Sequence, residues 1–321
     1  MPKAAENNMP LPQILAVGGA HIDRRGQVAG PFVPGASNPG TMREDVGGGA
    51  FNALRNAGRR GAAGSLLSVR GGDPAGDIVA RAIADAGILD LSAVFLDRAT
   101  PSYTALLDRE GDVIAALADM ALYELAFPKQ MRRAKVREAV FAADAVLCDA
   151  NLPDAALQRL MPLAEGKPVF AIAISPAKAV RLSGVLPSLS CLFMNRREAA
   201  ALTASDASET IGGIVDELRR LGLASGVITQ GSGPVTGFDP SGVISIDPPA
   251  PRRIADVTGA GDALAGAATV ALLKGLQLGE AMREGMAAAL LATESSTSVP
   301  ELAAATFAEA LALVPEAAEV R

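Results

Sequence analysis

Short apolar runs, separated by alanine-rich segments of helical period, recur along most of the chain. The first run, residues 14–17, ends at Gly18-Gly19 and has the length of a buried strand that leads into a turn. Comparable runs follow at 65–69, 145–148, 169–174, 191–194 and 226–229. Strands that alternate with helices in this way predict an α/β fold with a parallel sheet covered on both faces. Ligands are then expected beyond the carboxyl ends of the strands.

Two stretches, 25–45 and 91–119, interrupt this alternation. The first is rich in Gly and Pro; in the second, the runs 103–107 and 113–118 flank the turn Asp-Arg-Glu-Gly-Asp, which is a β-hairpin pattern. Because both stretches leave and re-enter the α/β unit early in the chain, we expect them to form one small β lid over the site. The α/β domain then comprises 12–24, 46–90 and 120–315, with an alanine-rich helical tail from residue 287.

Composition limits the class of partner and the compartment. The 321 residues are half apolar with 20% charged residues, which is enough to bury the core of one large domain. Cys148 and Cys191 lie in apolar runs and are expected to be buried thiols, as suits a reducing cytoplasm. A net charge of −6 argues against a nucleic-acid partner. Residues 1–11 show no targeting pattern, and no apolar run reaches the length of a membrane span, so we expect a cytoplasmic protein with a small-molecule ligand.

The segment 256–266 joins a Gly-rich turn to an apolar helix. Its small residues Gly259, Ala260 and Gly261 let backbone N–H groups face an anion, and the positive end of the helix adds to that field. The turn can therefore hold phosphoryl oxygens, and Asp262 can accept the proton of a hydroxyl that attacks the phosphoryl group. The alternatives are a dinucleotide-binding turn, which would be expected after the first strand, and a plain helix cap.

A second glycine run, 47–49, precedes a helix whose first turn presents Asn52. Gly47 and Gly48 permit a polyhydroxylated ligand to approach the backbone closely. The Asn52 amide can donate to one ligand hydroxyl and accept from another. Taken alone, the same pattern also fits a flexible loop before a helix.

These two segments, in this order and spacing, resemble the two signature motifs of the PfkB family of ribokinase-like carbohydrate kinases. The resemblance runs from about residue 14 to about residue 310. Asn195-Arg-Arg-Glu198 is similar to the family's Asn-X-X-Glu motif, Thr229-Gln-Gly231 to its nucleotide-binding turn, and 18–23 to its first strand end. The resemblance implies a three-layer α/β/α fold with a mainly parallel central sheet and a small β-sheet lid. It also implies transfer of a phosphoryl group from ATP, with Asp262 as the base.

The resemblance further implies roles for single residues. Asp23 would hold acceptor hydroxyls, and Asn195 and Glu198 would hold Mg²⁺ through water. For Glu198 the alternative is a solvated charge on a helix. Asp256 would lie beside a monovalent cation such as K⁺, as in some relatives. The residues that would contact the nucleotide are Thr229, Gly231 and Thr258.

A narrower resemblance concerns the acceptor. Ser37-Asn38-Pro-Gly and the stretches 118–120, 148–153 and 175–179 look like the pseudouridine kinase branch, which phosphorylates the 5′-hydroxyl of a C-nucleoside. The base would then lie against the lid, and the candidate contacts are Ser37, Asn38, Tyr103 and Asn151. Two alternatives stay open: a kinase of a free sugar such as ribose or a ketohexose, and a catalytically silent nucleotide or sugar sensor. The intact Asp262 and its Gly-Ala-Gly turn argue against the sensor.

Other polar residues allow more than one interpretation. His21, the only histidine, would share a strand face with Asp23, either as a substrate contact or as a packed, hydrogen-bonded residue. Lys178 and the Arg196-Arg197 pair fit phosphate binding and surface charge equally well. The open edges of a two-part lid predict a homodimer.

Overall fold

The computed structural model describes residues 10–206, 208–295, 299 and 303–320. The strands of this part of the chain are β1 (Gln13–Val17), β2 (His21–Val28), β3 (Gly40–Gly47), β4 (Ala63–Leu67), β5 (Val69–Gly71), β6 (Leu89–Asp90), β7 (Ala93–Phe95), β8 (Ser102–Leu107), β9 (Val113–Asp119), β10 (Ala145–Asp149), β11 (Val169–Ile172), β12 (Cys191–Asn195), β13 (Gly226–Gln230), β14 (Gly233–Asp239), β15 (Gly242–Ile246) and β16 (Ala318–Glu319).

The helices are α1 (Gly49–Arg59), α2 (Pro74–Asp85), α3 (Ala121–Gln130), α4 (Ala134–Ala142), α5 (Asp154–Leu163), α6 (Pro176–Ala179), α7 (Arg196–Thr203), α8 (Ile211–Arg220), α9 (Ala260–Leu273), α10 (Leu278–Thr293) and α11 (Ala304–Leu313). A 3₁₀ helix over Val180–Ser188 follows α6 directly. The predicted helical tail from residue 287 corresponds to the end of α10 and to α11, and its residues 296–298 and 300–302 lie outside the described part of the chain.

Ten of these strands form the central sheet, in the order β16-β15-β14-β13-β12-β11-β10-β1-β4-β6. From β13 to β6 the pairing is parallel, and the other three strands add antiparallel pairs at one edge. Successive β1 residues alternate between the two hydrophobic cores, because Ile14 and Ala16 lie in one and Leu15 and Val17 in the other. Helices α1, α9 and α10 pack in the first core, and α3, α5 and α8 in the second. The predicted three-layer fold is confirmed, and the predicted apolar runs match parallel strands to within two residues.

A separate four-stranded sheet, in the order β3-β2-β8-β9, corresponds to the predicted lid. Strands β8 and β9 form the predicted hairpin. The part of this sheet formed by β2 and β3 runs from His21 to Gly47, so it is longer than the predicted segment 25–45. Strand β7 does not join it but pairs with β5, because the backbone of Leu91 and Ala93 is hydrogen-bonded to Leu66 and Ser68 beside the central sheet.

Three further expectations concerned the two cysteines, membrane spans and a targeting segment. Cys148 and Cys191 are buried free thiols, as predicted. Among the described helices, none has the length and apolar character needed to cross a bilayer. Of the segment 1–11, in which no targeting pattern was found, residues 1–9 lie outside the described part of the chain.

Candidate active site

Asp262 lies in the first turn of α9, which begins directly after Gly259, a residue in the left-handed conformation (φ 81°). Helix α9 approaches α1 closely because Gly266 has no side chain: a Cβ there would lie 2.2 Å from the carbonyl oxygen of Ala53. This contact brings Asn52 to the carboxylate, and Asn52 Nδ2 donates a hydrogen bond to Asp262 Oδ2 at 2.9 Å. The two glycine-rich segments of the sequence therefore meet at one carboxylate.

The surroundings of Asp262 shift its acidity towards neutrality. Burial is the main cause that raises the pKa of the Asp262 carboxyl, to about 7. The hydrogen bond from Asn52 and the charge of Arg55 lower this pKa, whereas the carboxylates of Asp149 and Asp23 raise it. A carboxyl group with a pKa near 7 can take up and release a proton near neutral pH, which suits a general base.

Asp149 ends β10 and is fully buried. Its carboxylate accepts hydrogen bonds of 2.9–3.0 Å from the backbone N–H groups of Gly19, Ala50 and Asn151 and from Asn151 Nδ2. A Cβ at Gly49 would lie 3.3 Å from Asp149 Oδ2 and 3.5 Å from Asp262 Oδ1, so both carboxylates flank one glycine. No motif gave Asp149 a role, although an acidic residue directly after a buried parallel strand is a signal for a site at that sheet edge.

Asn151, a predicted substrate residue, connects Asp149 to Lys178. Its Oδ1 accepts a hydrogen bond from Lys178 Nζ at 2.6 Å, while its Nδ2 donates to Asp149. Burial lowers the pKa of Lys178, and the nearby carboxylate of Asp149 opposes this shift. Lys178, for which the sequence left phosphate binding and surface charge open, is therefore partly buried and belongs to this polar cluster.

His21 connects Tyr123 to Asp23. Its Nε2 lies 3.2 Å from Asp23 Oδ1, and its Nδ1 lies 3.1 Å from the Tyr123 hydroxyl, which accepts the backbone N–H of Ala20. A carboxylate can only accept, so the contact between Nε2 and Asp23 is a hydrogen bond when Nε2 carries a proton. This arrangement favours the interpretation of His21 as a hydrogen-bonded strand residue that orients Asp23.

The base of the lid brings several predicted substrate residues together. Asp23 in β2 lies opposite Tyr103 in β8. Gly47 makes room for Asp23, because a Cβ at that glycine would lie 1.9 Å from Asp23 Oδ2. Gly48 caps α1 with φ 111°, and a Cβ there would lie 2.2 Å from the carbonyl oxygen of Gly19. Both positions therefore exclude a side chain.

Ser37 and Asn38 lie in the loop between β2 and β3, and the structure does not bring them into the Asp262 cluster. Asn38 Oδ1 accepts the backbone N–H of Val33 at 2.8 Å, and its Nδ2 donates to the carbonyl oxygens of Val33 and Ala36. Both groups of the amide are thus used to shape the loop. Ser37 is exposed.

On the opposite side of the candidate site, Asn195 and Thr229 lie in register near the carboxyl ends of β12 and β13. Asn195 caps α7: its Oδ1 accepts the backbone N–H of Glu198 at 3.0 Å, and Glu198 Oε2 accepts the backbone N–H of Asn195 at 2.7 Å. Glu198 is only 6% exposed, and burial raises its pKa. It is therefore not a solvated helix charge. Gly231 forms the turn after β13 with φ 64°.

The residues around Glu198 fit a hydrated magnesium ion. Glu198 Oε1 accepts Asn195 Nδ2 at 2.8 Å, so each carboxylate oxygen has one protein donor and can still accept from water. Mg²⁺ retains several waters and takes few protein ligands besides nucleotide phosphates. Within the described residues, no group of three or more His, Cys, Asp or Glu side chains could hold a metal directly.

Asp256 lies in the loop before α9 and forms an ion pair with Arg25 of lid strand β2. Its Oδ1 also accepts the backbone N–H of Thr258 at 2.8 Å. Although burial acts in the opposite direction, the contacts with Thr258 and Arg25 hold the pKa of Asp256 below its usual value. The lid is thus tied to the loop that precedes Gly259, and a monovalent cation at Asp256 would share this carboxylate with Arg25.

A cavity of about 1060 Å³ lies away from these residues. It opens at the amino ends of β1 and β4, and Gln13, Ala63 and residues of α2 and α4 line it. No residue predicted from the sequence to bind substrate, nucleotide or metal lies in its wall. The candidate site, at the carboxyl ends of the strands, is therefore separate from this cavity.

Comparisons with known proteins agree with this fold. The sequence profile of the pfkB family carbohydrate kinases matches residues 11–303. Pseudouridine kinase of Escherichia coli K12 is 27% identical over 309 residues, which cover 95% of this chain and 97% of the relative.

Two solved structures have a similar fold. A carbohydrate kinase from Agrobacterium tumefaciens is 45% identical, with a TM-score of 0.84 over 96% of this chain and 99% of that one. Arabidopsis thaliana ribokinase in complex with ribose and ATP is 22% identical, with a TM-score of 0.82 over 94% of this chain and 99% of that one. The second likeness concerns the fold alone.

Proposed function

Because the chain belongs to the PfkB family of carbohydrate kinases, and is a phosphotransferase of that family, we propose that it transfers the γ-phosphoryl group of ATP to the 5′-hydroxyl of pseudouridine. The products are pseudouridine 5′-phosphate and ADP. The observation that carries this proposal is the Asn52–Asp262 pair at the first turn of α9, where a carboxyl group of pKa about 7 lies beside backbone amides suited to phosphoryl oxygens. The choice of pseudouridine is supported by the likeness to the Escherichia coli enzyme over nearly the whole chain.

Asp262 acts as the base in this proposal. It takes the proton from the acceptor hydroxyl as the oxygen of that hydroxyl forms a bond to the γ-phosphorus. The bond from the γ-phosphorus to the bridging oxygen breaks, and ADP leaves. The backbone N–H groups of Gly259, Ala260 and Gly261 are proposed to face the transferred group, although that of Ala260 also makes a 3.4 Å hydrogen bond to the carbonyl oxygen of Val257.

The nucleotide is proposed to lie along the ends of β12 and β13. Thr229 and Gly231 contact the nucleotide on this side, and Thr258 contacts it from the loop before α9. Asn195 and Glu198 hold Mg²⁺ through water, and the ion neutralises charge on the nucleotide phosphates. The capping box supports this role because it fixes the Glu198 carboxylate at the strand end.

The acceptor is proposed to lie between the Asp262 cluster and the lid. Asp23, oriented by His21, accepts hydrogen bonds from ribose hydroxyls, and Gly47 and Gly48 allow the sugar to approach the backbone. Asn52 and Asn151 are proposed to contact the same ligand, and Tyr103 is the aromatic side chain proposed to contact the base. Ser37 and Asn38 are proposed to contact the base from the lid loop.

A kinase of a free sugar is the second candidate function. The observation that favours it is the use of both Asn38 amide groups within the lid loop, which leaves fewer polar partners for a base. A silent sensor is disfavoured because a sensor has no need of a carboxyl group whose pKa is raised to about 7 beside the anion-binding turn.

Steady-state kinetics with ATP and Mg²⁺ test the substrate. We expect kcat/KM for pseudouridine to exceed that for free ribose by at least about 100-fold, because a site with hydrogen-bond partners for the base leaves them unpaired with ribose. Uridine should fall between the two. Tyr103→Ala should reduce the preference for pseudouridine and leave the value for ribose within a few-fold.

The outcomes separate the candidates. Preference for ribose or fructose would reject the nucleoside and leave the kinase assignment in place. ATP binding without turnover on any nucleoside or sugar would favour the sensor.

We also propose a homodimer in the cytoplasm. The outer face of the lid carries Met42 and Leu117, which are 62% and 70% exposed, and Leu106 lies between them. An apolar patch on an open sheet suits contact with the same patch of a second copy. The buried free thiols suit a reducing compartment. Since Arg25 already pairs with Asp256, K⁺ is proposed there only as a competitor of that ion pair.

A further inference from the structure

Arg55 lies on α1, one helical turn after Asn52 and beside lid strand β3. Its Nη2 donates a hydrogen bond to Asn52 Oδ1 at 2.6 Å and a longer one to the carbonyl oxygen of Val46 at 3.4 Å. The guanidinium also lies 4.5 Å from the centroid of the fully buried Phe51 ring. These contacts hold the guanidinium against the amide of Asn52.

The contact with Arg55 decides which way the Asn52 amide points. A guanidinium has only donors, so the amide oxygen must face Arg55 and the amide nitrogen must face Asp262, 2.9 Å away. Without Arg55 the amide could turn, and its oxygen could then accept the proton of a neutral Asp262. In that state Asp262 cannot act as a base.

We propose that Arg55 is a positioning residue for phosphoryl transfer, which acts through Asn52 to keep Asp262 in the ionised form that accepts the proton of the substrate hydroxyl. This proposal rests on the role proposed above for Asp262. Arg55 touches neither the reacting atoms nor the nucleotide; it acts on Asp262 through the Asn52 amide, and its charge adds to this effect.

The charges around the two groups agree with this role. Asp149 and Asp23 raise the pKa of Asp262, and Arg55 is the cation that lowers it. Burial lowers the pKa of Arg55 itself to about 10, Asp262 and Asp45 oppose this shift, and Arg59 adds to it. Among the described residues, Arg55 Nε is buried without a hydrogen-bond partner. An unsatisfied buried N–H is costly, and this cost is expected where a side chain is held in place for function.

The first test is the pH dependence of kcat at saturating ATP and acceptor for the wild type and for Arg55→Met, Arg55→Lys and Arg59→Met. Arg59→Met removes the same charge from an exposed position one turn further along α1 and is the matched control. We expect the acid limb of Arg55→Met to move up by about one pH unit or more, as for loss of a nearby cation and an oriented donor. Arg55→Lys retains a donor-only cation and should move less, and Arg59→Met should follow the wild type. Arg55→Gln, which has both a donor and an acceptor, replaces Arg55→Met if that variant does not fold.

The second test does not depend on turnover. Protein labelled with ¹³C at the aspartate carboxyl carbon is titrated by NMR, and Asp262→Asn identifies the Asp262 signal. The midpoint of that signal should rise in Arg55→Met by a similar amount. An unchanged midpoint, or a loss of turnover by the same factor at every pH, would overturn the proposal and leave Arg55 a structural residue. A shifted midpoint in a protein that phosphorylates no acceptor would instead retain the effect of Arg55 on Asp262 and reject the proposed function.

Discussion

At the residue scale, the proposed chemistry depends on the carboxyl group of Asp262, and burial of this group disfavours its ionised form. Asp262→Asn preserves the shape of the side chain and removes the base, so we expect turnover to fall by about two to four orders of magnitude. ATP affinity should stay within a few-fold, because none of the proposed nucleotide contacts is made by the Asp262 side chain. Turnover and calorimetric ATP binding measure the two effects, and Asp85→Asn on the exposed end of α2 is the control. Unchanged turnover would remove Asp262 from the mechanism.

The same residue predicts the direction of the pH dependence. The pKa of Asp262 is raised to about 7, and the base is the ionised form, so kcat should fall as the pH drops through this value and level off above it. A wild-type profile that is flat from pH 5 to pH 8 would contradict the raised pKa.

At the scale of elements, the first turn of α7 combines a capping box with a proposed magnesium site. Glu198→Gln separates the two, because the glutamine oxygen can still accept the Asn195 N–H of the capping box, whereas the charge and the acceptor of Asn195 Nδ2 are lost. We expect the melting temperature to change little and the Mg²⁺ concentration for half-maximal activity to rise about tenfold or more. Glu280→Gln makes the same change in the capping box of α10 and should alter neither value. A lower melting temperature with an unchanged Mg²⁺ requirement would reduce the role of Glu198 to capping.

At the scale of the whole molecule, the lid has two faces with different partners. Arg25 on the inner face pairs with Asp256 of the central domain, whereas Met42 and Leu117 on the outer face are exposed. Leu117→Glu places a charge in the apolar patch and should convert a dimer into a monomer, as measured by sedimentation or light scattering. Leu96→Glu, at a residue that is 87% exposed outside the lid sheet, should leave the dimer intact. A wild-type monomer at micromolar concentration would reject this interface.

The sequence by itself determined the layers of the fold and the chemistry at its turns. The alternation of apolar runs with helical segments indicates strands that are buried on both faces of a sheet. The parallel strands β1, β10, β11, β12 and β13 could therefore be predicted. The glycines at 48 and 259 mark positions that need a positive φ, and that local requirement is visible without any neighbour. Five short motifs in the family's order then identified the kinase family, which the comparison of residues 11–303 confirms.

Only the tertiary structure decided which side chains meet. Asn52 and Asp262 are 210 residues apart, and the partners of Asp149, Lys178 and Arg25 also lie on other elements, so spacing along the chain carries no information about these contacts. The burial of Glu198 likewise depends on the fold around α7, whereas the Asn38 amide bonds to Val33 and Ala36 within its own loop. Local pattern fixes burial and backbone conformation, whereas orientation, pKa and pairing depend on the packing of distant segments.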